Sequence, residues 1–177
     1  MLEILRIAPA DAPRWSAADR SFLVERVARV SLSASSTVLE AIPVQPFTKT
    51  YPASESSADA EHHVALLGSE VAGELQCGPH WNGYLYIHDL VVGAAFRRQG
   101  IGQRLVQHAQ ARALELGLAG VMLETQNTNL PACRLYEQGG FELGGHDALL
   151  YSGLNPSINE VALFWYWRPA KSDLQAA

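Results

Sequence analysis

The sequence predicts an α/β domain in which strands and helices alternate through the second half of the chain. An apolar run over Tyr84–Val92 is followed by a loop with two glycines, Gly100 and Gly102, and that loop opens directly into an amphipathic stretch. A hairpin pattern precedes this run, and a strand, a short helix and two closing strands follow it. The central order is therefore β-loop-α-β-α-β, which puts a ligand site at the carboxyl end of the Tyr84–Val92 strand.

The region before residue 61 is predicted to be a variable N-terminal helix and loop. Apolar residues recur on one helical face over Ala17–Val30, with an aspartate near the start, which predicts a helix. Ser31–Ala60 is rich in Ser, Pro and Thr with few periodic apolar residues, which predicts a long irregular segment. Glu61–Leu67 and Glu70–Cys77, separated by Gly68-Ser69, then predict a β-hairpin.

The second half of the chain supplies the remaining predicted elements. A helix is expected from about Gly100 to Leu116, with Gly117 as its stop signal. The pattern after it predicts, in order, a strand Val121–Thr125, a short helix begun by Asn129 and ended at Gly139-Gly140, and closing strands Phe141–Ser152 and Glu160–Trp167.

Composition excludes several classes of protein. With 177 residues the chain is expected to form one domain over 1–177, its core at about 61–168. The net charge of −5 argues against a nucleic-acid partner, and no apolar run reaches the roughly 18 residues of a membrane helix. Cys77 and Cys133 have no metal-ligand spacing, so no metal is expected. The N-terminus lacks a secretory pattern, which favours a cytoplasmic protein.

The segment Arg97–Gly102 has the chemistry of an anion cradle. Glycines let the backbone approach a phosphate closely, and the free N–H groups of a first helical turn point at it. Neighbouring arginines add charge-assisted donors. The segment is not a Walker A motif, and Leu105 stands where a dinucleotide fingerprint needs its third glycine. A tight strand-to-helix corner that simply requires glycine is the alternative interpretation.

A second motif makes the functional interpretation of the cradle more specific. The segment Asn129–Phe141 reads NLPACRLYEQGGF, and together with Arg97-x-x-Gly100-x-Gly102 it resembles the GNAT superfamily of acyl-CoA-dependent N-acetyltransferases. That resemblance implies a mixed, mostly antiparallel sheet flanked by helices around an acyl-CoA-binding unit. Several shorter segments, among them Trp81-Asn82-Gly83 and Leu123-Glu124-Thr125-Gln126, are similar to streptothricin acetyltransferases.

The resemblance implies an enzyme that transfers acetyl from acetyl-CoA directly to a primary amine of a small cation, streptothricin being the expected substrate. A polyamine, another aminoglycoside-like amine or a protein lysine is the alternative acceptor. A CoA-binding sensor or interaction domain without turnover is the alternative of another class. The residues implied to bind the cofactor are Val91, Val92, Arg97, Arg98, Gln99, Gly100, Ile101, Gly102 and Asn129.

Catalytic roles are expected at three residues. The resemblance implies that Tyr136 lies near the CoA sulfur and acts as general acid. The alternative is an aromatic ring packed on a helix face with its hydroxyl at the surface. A base must remove a proton from the amine, whose reference pKa is near 10.4. Relatives carry Glu where this chain has His88, so both His88 and the adjacent Asp89 stay candidates. Strand alternation would send these two side chains to opposite faces.

Acidic and aromatic residues on or beside predicted strands are the candidates for binding a cationic substrate. A carboxylate buried there without a cation would be costly, and an aromatic ring can stack on a cation. Trp165 is expected to pack in the core instead. The apolar closing strand suggests pairing between subunits in a homodimer. The candidates for substrate binding are Glu74, Trp81, Glu124, Asp147 and Glu160.

Overall fold

The computed structural model describes residues 1–8, 20–32, 37–51, 59–153 and 160–170. The elements in chain order are β1 Leu2–Ile7, β2 Ser21–Leu32, β3 Thr37–Thr50, β4 Glu61–Leu67, β5 Glu70–Pro79, β6 Leu85–Val92, a 3₁₀ turn Ala94–Phe96, α1 Ile101–Glu115, β7 Val121–Gln126, α2 Leu130–Gln138, β8 Glu142–Asp147 and β9 Ala162–Trp167. The chain divides into two compact units. The described residues of Met1–Arg20, Tyr51–Met122 and Trp167–Ala177 form the first, and those of Ser21–Thr50 and Leu123–Tyr166 form the second.

The first unit is built on an antiparallel sheet with the strand order β1-β4-β5-β6. The predicted hairpin is confirmed, with Leu67 opposite Glu70 across a turn in which Gly68 has a φ of 67°. Only glycine adopts that left-handed conformation without steric cost. Apolar side chains of β4 and β5, including Ala65, Ala72 and Leu75, are fully buried. The hairpin therefore forms the centre of this unit.

Helix α1 packs on the sheet of the first unit through Ile101, Leu105, Val106, Ala109 and Ala113, which are all buried. A Cβ added at Gly73 of β5 would lie 3.1 Å from Leu105 Cδ1, so the helix approaches the bare backbone of the strand. The helix ends as predicted, because Gly117 has a φ of 65° and Leu118 N–H donates to the carbonyl of Ala113. Leu116, expected at the end of the helix, caps it and is exposed.

The second unit contains the strand order β7-β9-β8 and the separate antiparallel pair β2–β3. Asn127, just after β7, joins these parts: Ala28 N–H donates to its carbonyl at 2.8 Å, and Val161 N–H donates to its Oδ1 at 3.0 Å. Trp165 is 1% exposed, which confirms its predicted core role. Strand β9 has a neighbour on each side, so its edges are not open for pairing with a second copy.

The predicted helix over Ala17–Val30 is wrong, because Ser21–Leu32 is the strand β2; residues 17–19 lie outside the described ranges. The long irregular segment predicted for Ser31–Ala60 is also wrong, since it contains β3. The register between β2 and β3 shifts between Val24 and Arg26. Val24 pairs with Phe47 of β3, but Arg26, two residues later, pairs with Pro43, which is four residues away from Phe47. This irregularity breaks the period-two pattern, and prolines in β3 resemble a loop in sequence.

The other predicted elements are confirmed with small changes at their ends. The closing strand predicted for Phe141–Ser152 ends at Asp147, where a turn begins. The last strand starts at Ala162 rather than Glu160. In the ranges that the structure describes, no helix is long and apolar enough to cross a membrane.

Candidate active site

The loop after β6 is braced by side chains of the predicted cradle. Arg97 Nε donates to the carbonyl oxygen of Val92 at 3.2 Å, and Gln99 Nε2 donates to that of Ala95 at 3.2 Å. Arg98 has a φ of 65°, a left-handed conformation that is uncommon for a residue with a side chain. The loop is therefore held in a defined shape that turns its backbone sharply into α1.

The first turn of α1 presents backbone donors. Gly100 precedes the helix with a φ of 79°, and the first intrahelical bond runs from Arg104 N–H to Gly100 O at 3.1 Å. The N–H groups of Ile101, Gly102 and Gln103 therefore have no acceptor within the helix. No acidic residue lies in this turn, and the position of a Cβ at Gly100 has nothing within 4 Å. These features fit an anion such as a pyrophosphate.

Strand β6 leads into this cradle and carries four predicted site residues. Val91 and Val92 lie opposite Glu74 and Gly73 of β5. Consecutive residues Gln76 and Cys77 of β5 pair with Asp89 and Ile87, so His88 is the extra residue of a β-bulge. The bulge interrupts the regular alternation that was expected to separate His88 from Asp89.

His88 belongs to an aromatic group in the first unit. Its ring centroid lies 5.0 Å from that of Tyr86, which stacks on His80 at 5.1 Å. Burial, followed by the positive charges that His80 and His62 can carry, lowers the pKa of His88. At neutral pH this imidazole is therefore uncharged. Trp81, predicted to bind substrate, lies beside His80 with a ring separation of 5.7 Å and is 89% exposed.

Asp89 and Glu74 lie in one charged cluster with an arginine that the sequence did not single out. Asp89 Oδ2 is 2.8 Å from Arg20 Nη2, and both side chains are largely buried. Glu74 is 8% exposed. Burial raises the pKa of Glu74 to about 7, with the Arg20 charge acting to lower it and the Asp89 charge to raise it. This carboxyl group can thus exchange a proton near neutral pH.

The second motif forms α2 of the second unit. Asn129 caps the helix, since its Oδ1 accepts the N–H of Ala132 at 3.2 Å, and Pro131 is accommodated in the first turn as predicted. Tyr136 is 6% exposed, and its ring packs 5.7 Å from Phe141 and 6.2 Å from Trp165. Packing fixes the ring of Tyr136.

Two more candidate carboxylates lie close together in the second unit. Tyr151 Oη donates to Glu124, and Gln126 Nε2 donates to Tyr151 Oη at 2.6 Å. Lys49 pairs with Glu160. Burial raises the pKa of Glu124, while the Tyr151 hydrogen bond and the Lys49 charge lower it and the Glu160 charge raises it. These five side chains form a second charged cluster.

Asp147 has a local structural role. Its Oδ1 accepts the N–H groups of Leu149 and Leu150 at 2.7 and 3.1 Å, which closes the turn after β8. Cys133 is buried in α2, and burial raises the pKa of its thiol to about 12, so it is unreactive. Among the described residues, no group of three or more His, Cys, Asp or Glu side chains is arranged to hold a metal ion.

Sequence reasoning missed the partners of these carboxylates. Arg20, Gln76 and Tyr151 lie in no motif, and each meets its carboxylate across a gap in the chain that local pattern does not span. Lys49 carried a weak signal, because the segment Phe47-Thr48-Lys49-Thr50-Tyr51 is weakly similar to streptothricin acetyltransferases.

Comparison with known proteins identifies the family. The acetyltransferase (GNAT) family model matches residues 31–141. Streptothricin acetyltransferase of Escherichia coli is 32% identical over 170 residues, covering 96% of this chain and 98% of that protein. Streptothricin acetyltransferase A of Bacillus subtilis (strain 168) is 35% identical over 130 residues, covering 70% of this chain and 75% of that protein.

A solved structure agrees with these matches. A crystal structure from Bacillus anthracis str. Ames, assigned as a streptothricin acetyltransferase and in complex with acetyl coenzyme A, superposes with a TM-score of 0.86. It is 34% identical and covers 96% of this chain and 98% of that one. The chain therefore belongs to the acetyltransferase (GNAT) family and is an N-acetyltransferase. The resemblance and the fold class predicted from the sequence are confirmed.

Proposed function

We propose that this enzyme transfers the acetyl group of acetyl-CoA to a primary amine of streptothricin, in a cytoplasmic reaction that confers resistance to that antibiotic. The observation that carries the proposal is the likeness to streptothricin acetyltransferases along nearly the whole chain, 96% of it for the Escherichia coli protein. The relative from Bacillus anthracis binds acetyl coenzyme A, and the first turn of α1 offers the donors that a pyrophosphate needs.

The cofactor is proposed to lie against the loop and first turn of α1. The N–H groups of Ile101 and Gly102 would bind the pyrophosphate, and Arg98 would add positive charge. The side chains of Arg97 and Gln99 brace the loop, so they would contribute through their backbone. The further residues proposed to contact the cofactor are Val91 and Val92, through strand backbone, and Asn129, through its side chain.

The chemistry is proposed to be direct transfer. The acceptor loses a proton, its nitrogen attacks the acetyl carbon, and the C–S bond breaks to release CoA. Tyr136 is proposed to donate a proton to the leaving thiolate, since a phenol of reference pKa near 10 can protonate a thiolate in favourable geometry. The packing of Tyr136 against Phe141 and Trp165 supports this role, because it fixes the direction of the hydroxyl.

His88 and Asp89 are the candidates for the base that follow from the resemblance. The two side chains differ in their surroundings. The charge of Asp89 is offset by Arg20 at 2.8 Å, which suits a counter-ion better than a proton acceptor. His88 is uncharged at neutral pH, yet the burial that lowers its pKa also weakens it as a base. A third group, the Glu74 carboxyl, lies close to Asp89, and burial raises its pKa to about 7.

The acceptor is a cation, so acidic clusters are proposed to bind it. Glu124 and Glu160 lie near a single lysine, Lys49. When both carboxylates are ionised, the group therefore has one more negative charge than positive charges. Trp81 is proposed to stack against the substrate, since its ring is almost fully exposed. Asp147 stays a candidate at the end of β8.

The test is release of CoA thiol from acetyl-CoA by purified protein with streptothricin, run beside spermidine and a lysine peptide. We expect turnover with streptothricin alone. Turnover of another amine without streptothricin would keep the chemistry and refute the substrate. Acetyl-CoA binding without thiol release for any amine would favour a sensor domain instead.

A further inference from the structure

One face of the sheet in the first unit carries a polar group that the motifs do not explain. Gly73 of β5 faces α1, because a Cβ there would meet Leu105 and Ile101. The next residue, Glu74, therefore points to the opposite face. Gln76, two residues further along β5, shares that face and lies directly opposite Asp89 of β6. Glu74, Gln76 and Asp89 are thus neighbours on the face turned away from α1.

This group has buried acceptors that lack donors. Glu74 is 8% exposed, and neither Glu74 Oε1 nor Gln76 Oε1 has a hydrogen-bond partner among the described residues. The guanidinium of Arg20 pairs with Asp89 instead, with Arg20 Nη2 at 2.8 Å from Asp89 Oδ2. A buried acceptor without a donor costs about 1–3 kcal/mol, and more for a charged group. A catalytic or ligand-binding role is one recognised reason for a protein to retain such a cost.

The charges of the group define that ligand. Two carboxylates, Glu74 and Asp89, face one guanidinium, Arg20, so with both carboxylates ionised the group lacks one positive charge. A primary ammonium carries one charge and three N–H donors. It therefore matches both the missing charge and the unpartnered acceptors.

We propose that Glu74, Gln76 and Asp89 form the subsite for the reacting ammonium group of the acceptor, and that Glu74 takes its proton. This inference rests on the proposed acetyl transfer. The ammonium gives one proton to the Glu74 carboxylate and becomes an amine with a free electron pair. That pair forms the N–C bond to the acetyl carbon as the C–S bond breaks. The leaving thiolate takes the Tyr136 proton to become CoA thiol, and the second proton of the attacking nitrogen restores the tyrosine hydroxyl. Glu74 then returns its proton to water.

The groups around Glu74 agree with this assignment. Burial raises the pKa of Glu74 to about 7, while the charge of Arg20, just before β2, lowers it and that of Asp89 on β6 raises it. On β4, His62 lies opposite Gln76, and burial lowers its pKa, so it adds little positive charge at neutral pH. Asp89, paired with Arg20, serves as a fixed counter-ion for the bound ammonium.

The test compares Glu74→Gln with Glu70→Gln, an exposed carboxylate on the same strand. We expect Glu74→Gln to lower kcat/KM for streptothricin at least about 100-fold, the scale of lost general-base catalysis, with the acetyl-CoA KM within threefold of wild type. The rise of kcat/KM through about pH 7 should disappear in Glu74→Gln and persist in Glu70→Gln. A Glu74→Gln enzyme within threefold of wild type, or with the same pH rise, would overturn the inference.

A binding measurement separates this inference from the proposed function. Titration of the CoA-loaded protein with streptothricin at pH 7, in two buffers of different ionisation enthalpy, reports the protons released. An ammonium bound at Glu74 should release about half a proton per site, because a group with a pKa near 7 is half protonated. Glu74→Gln should release none, and equal release in both proteins would overturn the subsite. A wild-type protein that turns over no amine would instead refute the proposed function.

Discussion

Tyr136 is the residue whose substitution isolates the proposed acid step. Its ring packs against Phe141 and Trp165, so phenylalanine would keep the packing and remove the hydroxyl alone. We expect Tyr136→Phe to lower kcat about 100-fold, with the acetyl-CoA KM almost unchanged. Tyr84→Phe removes a phenol hydroxyl with no proposed role and is the control. A kcat for Tyr136→Phe within twofold of wild type would remove the assignment.

Glu74 should also make stability depend on pH. Its pKa rises from 4.5 when unfolded to about 7 when folded, so between those values the folded state holds a proton that the unfolded state has lost. The free energy of unfolding therefore falls as pH rises from 4.5 through about 7, by up to about 3 kcal/mol. Glu74→Gln should be more stable than wild type at pH 8.5 and similar to it at pH 4.5 in urea unfolding. A variant less stable at pH 8.5 would contradict this.

For single residues, the sequence predicts a position in the fold where a motif carries it. The cradle, Asn129 and Tyr136 lie in motifs of fixed spacing, so their positions followed from local pattern. The positions of Arg20 and Gln76 beside Asp89 could not be predicted from the sequence. Arg20 is distant from Asp89 along the chain, and Gln76 lies opposite Asp89 only because of the register between β5 and β6.

At the scale of elements, a histidine pair links β4 to α1. His63 Nδ1 and His108 Nε2 are 3.0 Å apart, and Glu61 beside them accepts two hydrogen bonds from Arg112 at 2.8 Å. Burial, with a further contribution from His108, lowers the pKa of His63 to about 4. Protonating both rings would leave this hydrogen bond without an acceptor.

This pair predicts loss of stability in acid. Between pH 6.5 and 4 the unfolded His63 binds a proton that the folded one does not, so the free energy of unfolding falls as pH falls through that window. The loss is on the order of 3 kcal/mol. His63→Gln should flatten this part of the profile, and His146→Gln, which lies outside the pair, should not. An unchanged profile in His63→Gln would show that another group controls acid unfolding.

The start of β7 depends on a glycine. Gly120 has a φ of 149°, and a Cβ there would lie 2.0 Å from the carbonyl oxygen of Trp167. We expect Gly120→Ala to lower the free energy of unfolding by at least about 2 kcal/mol, because backbone has to move. Gly145→Ala, where nothing lies within 4 Å of the added Cβ, is the matched control and should change little. Equal stability of the two variants in urea would contradict the prediction.

Some secondary-structure elements could be predicted from the sequence pattern and others could not. Helix α1 was predicted almost to the residue, since one apolar face and a stop glycine are local signals. Strands β2 and β3 were missed because their pattern depends on an irregular register and prolines within a strand. Their pairing depends on contacts across the two adjacent strands, which the periodicity of either strand alone does not encode.

For the whole molecule, the likeness along the chain and the cradle lead to the same chemistry. The net charge of −5 suits a cationic acceptor, and the arginines around the cradle suit an anionic cofactor. The prediction of one domain over residues 1–177 stays a prediction, and a single unfolding transition followed by two probes would support it.

Streptothricin is the proposed acceptor, and a primary amine is its proposed reacting group. The most direct measurement is mass and NMR analysis of streptothricin after reaction with acetyl-CoA and the wild-type protein. We expect one acetyl group on a primary amine, formed in equal amount to the CoA thiol released. Unmodified streptothricin, under conditions in which the same protein acetylates another amine, would contradict it.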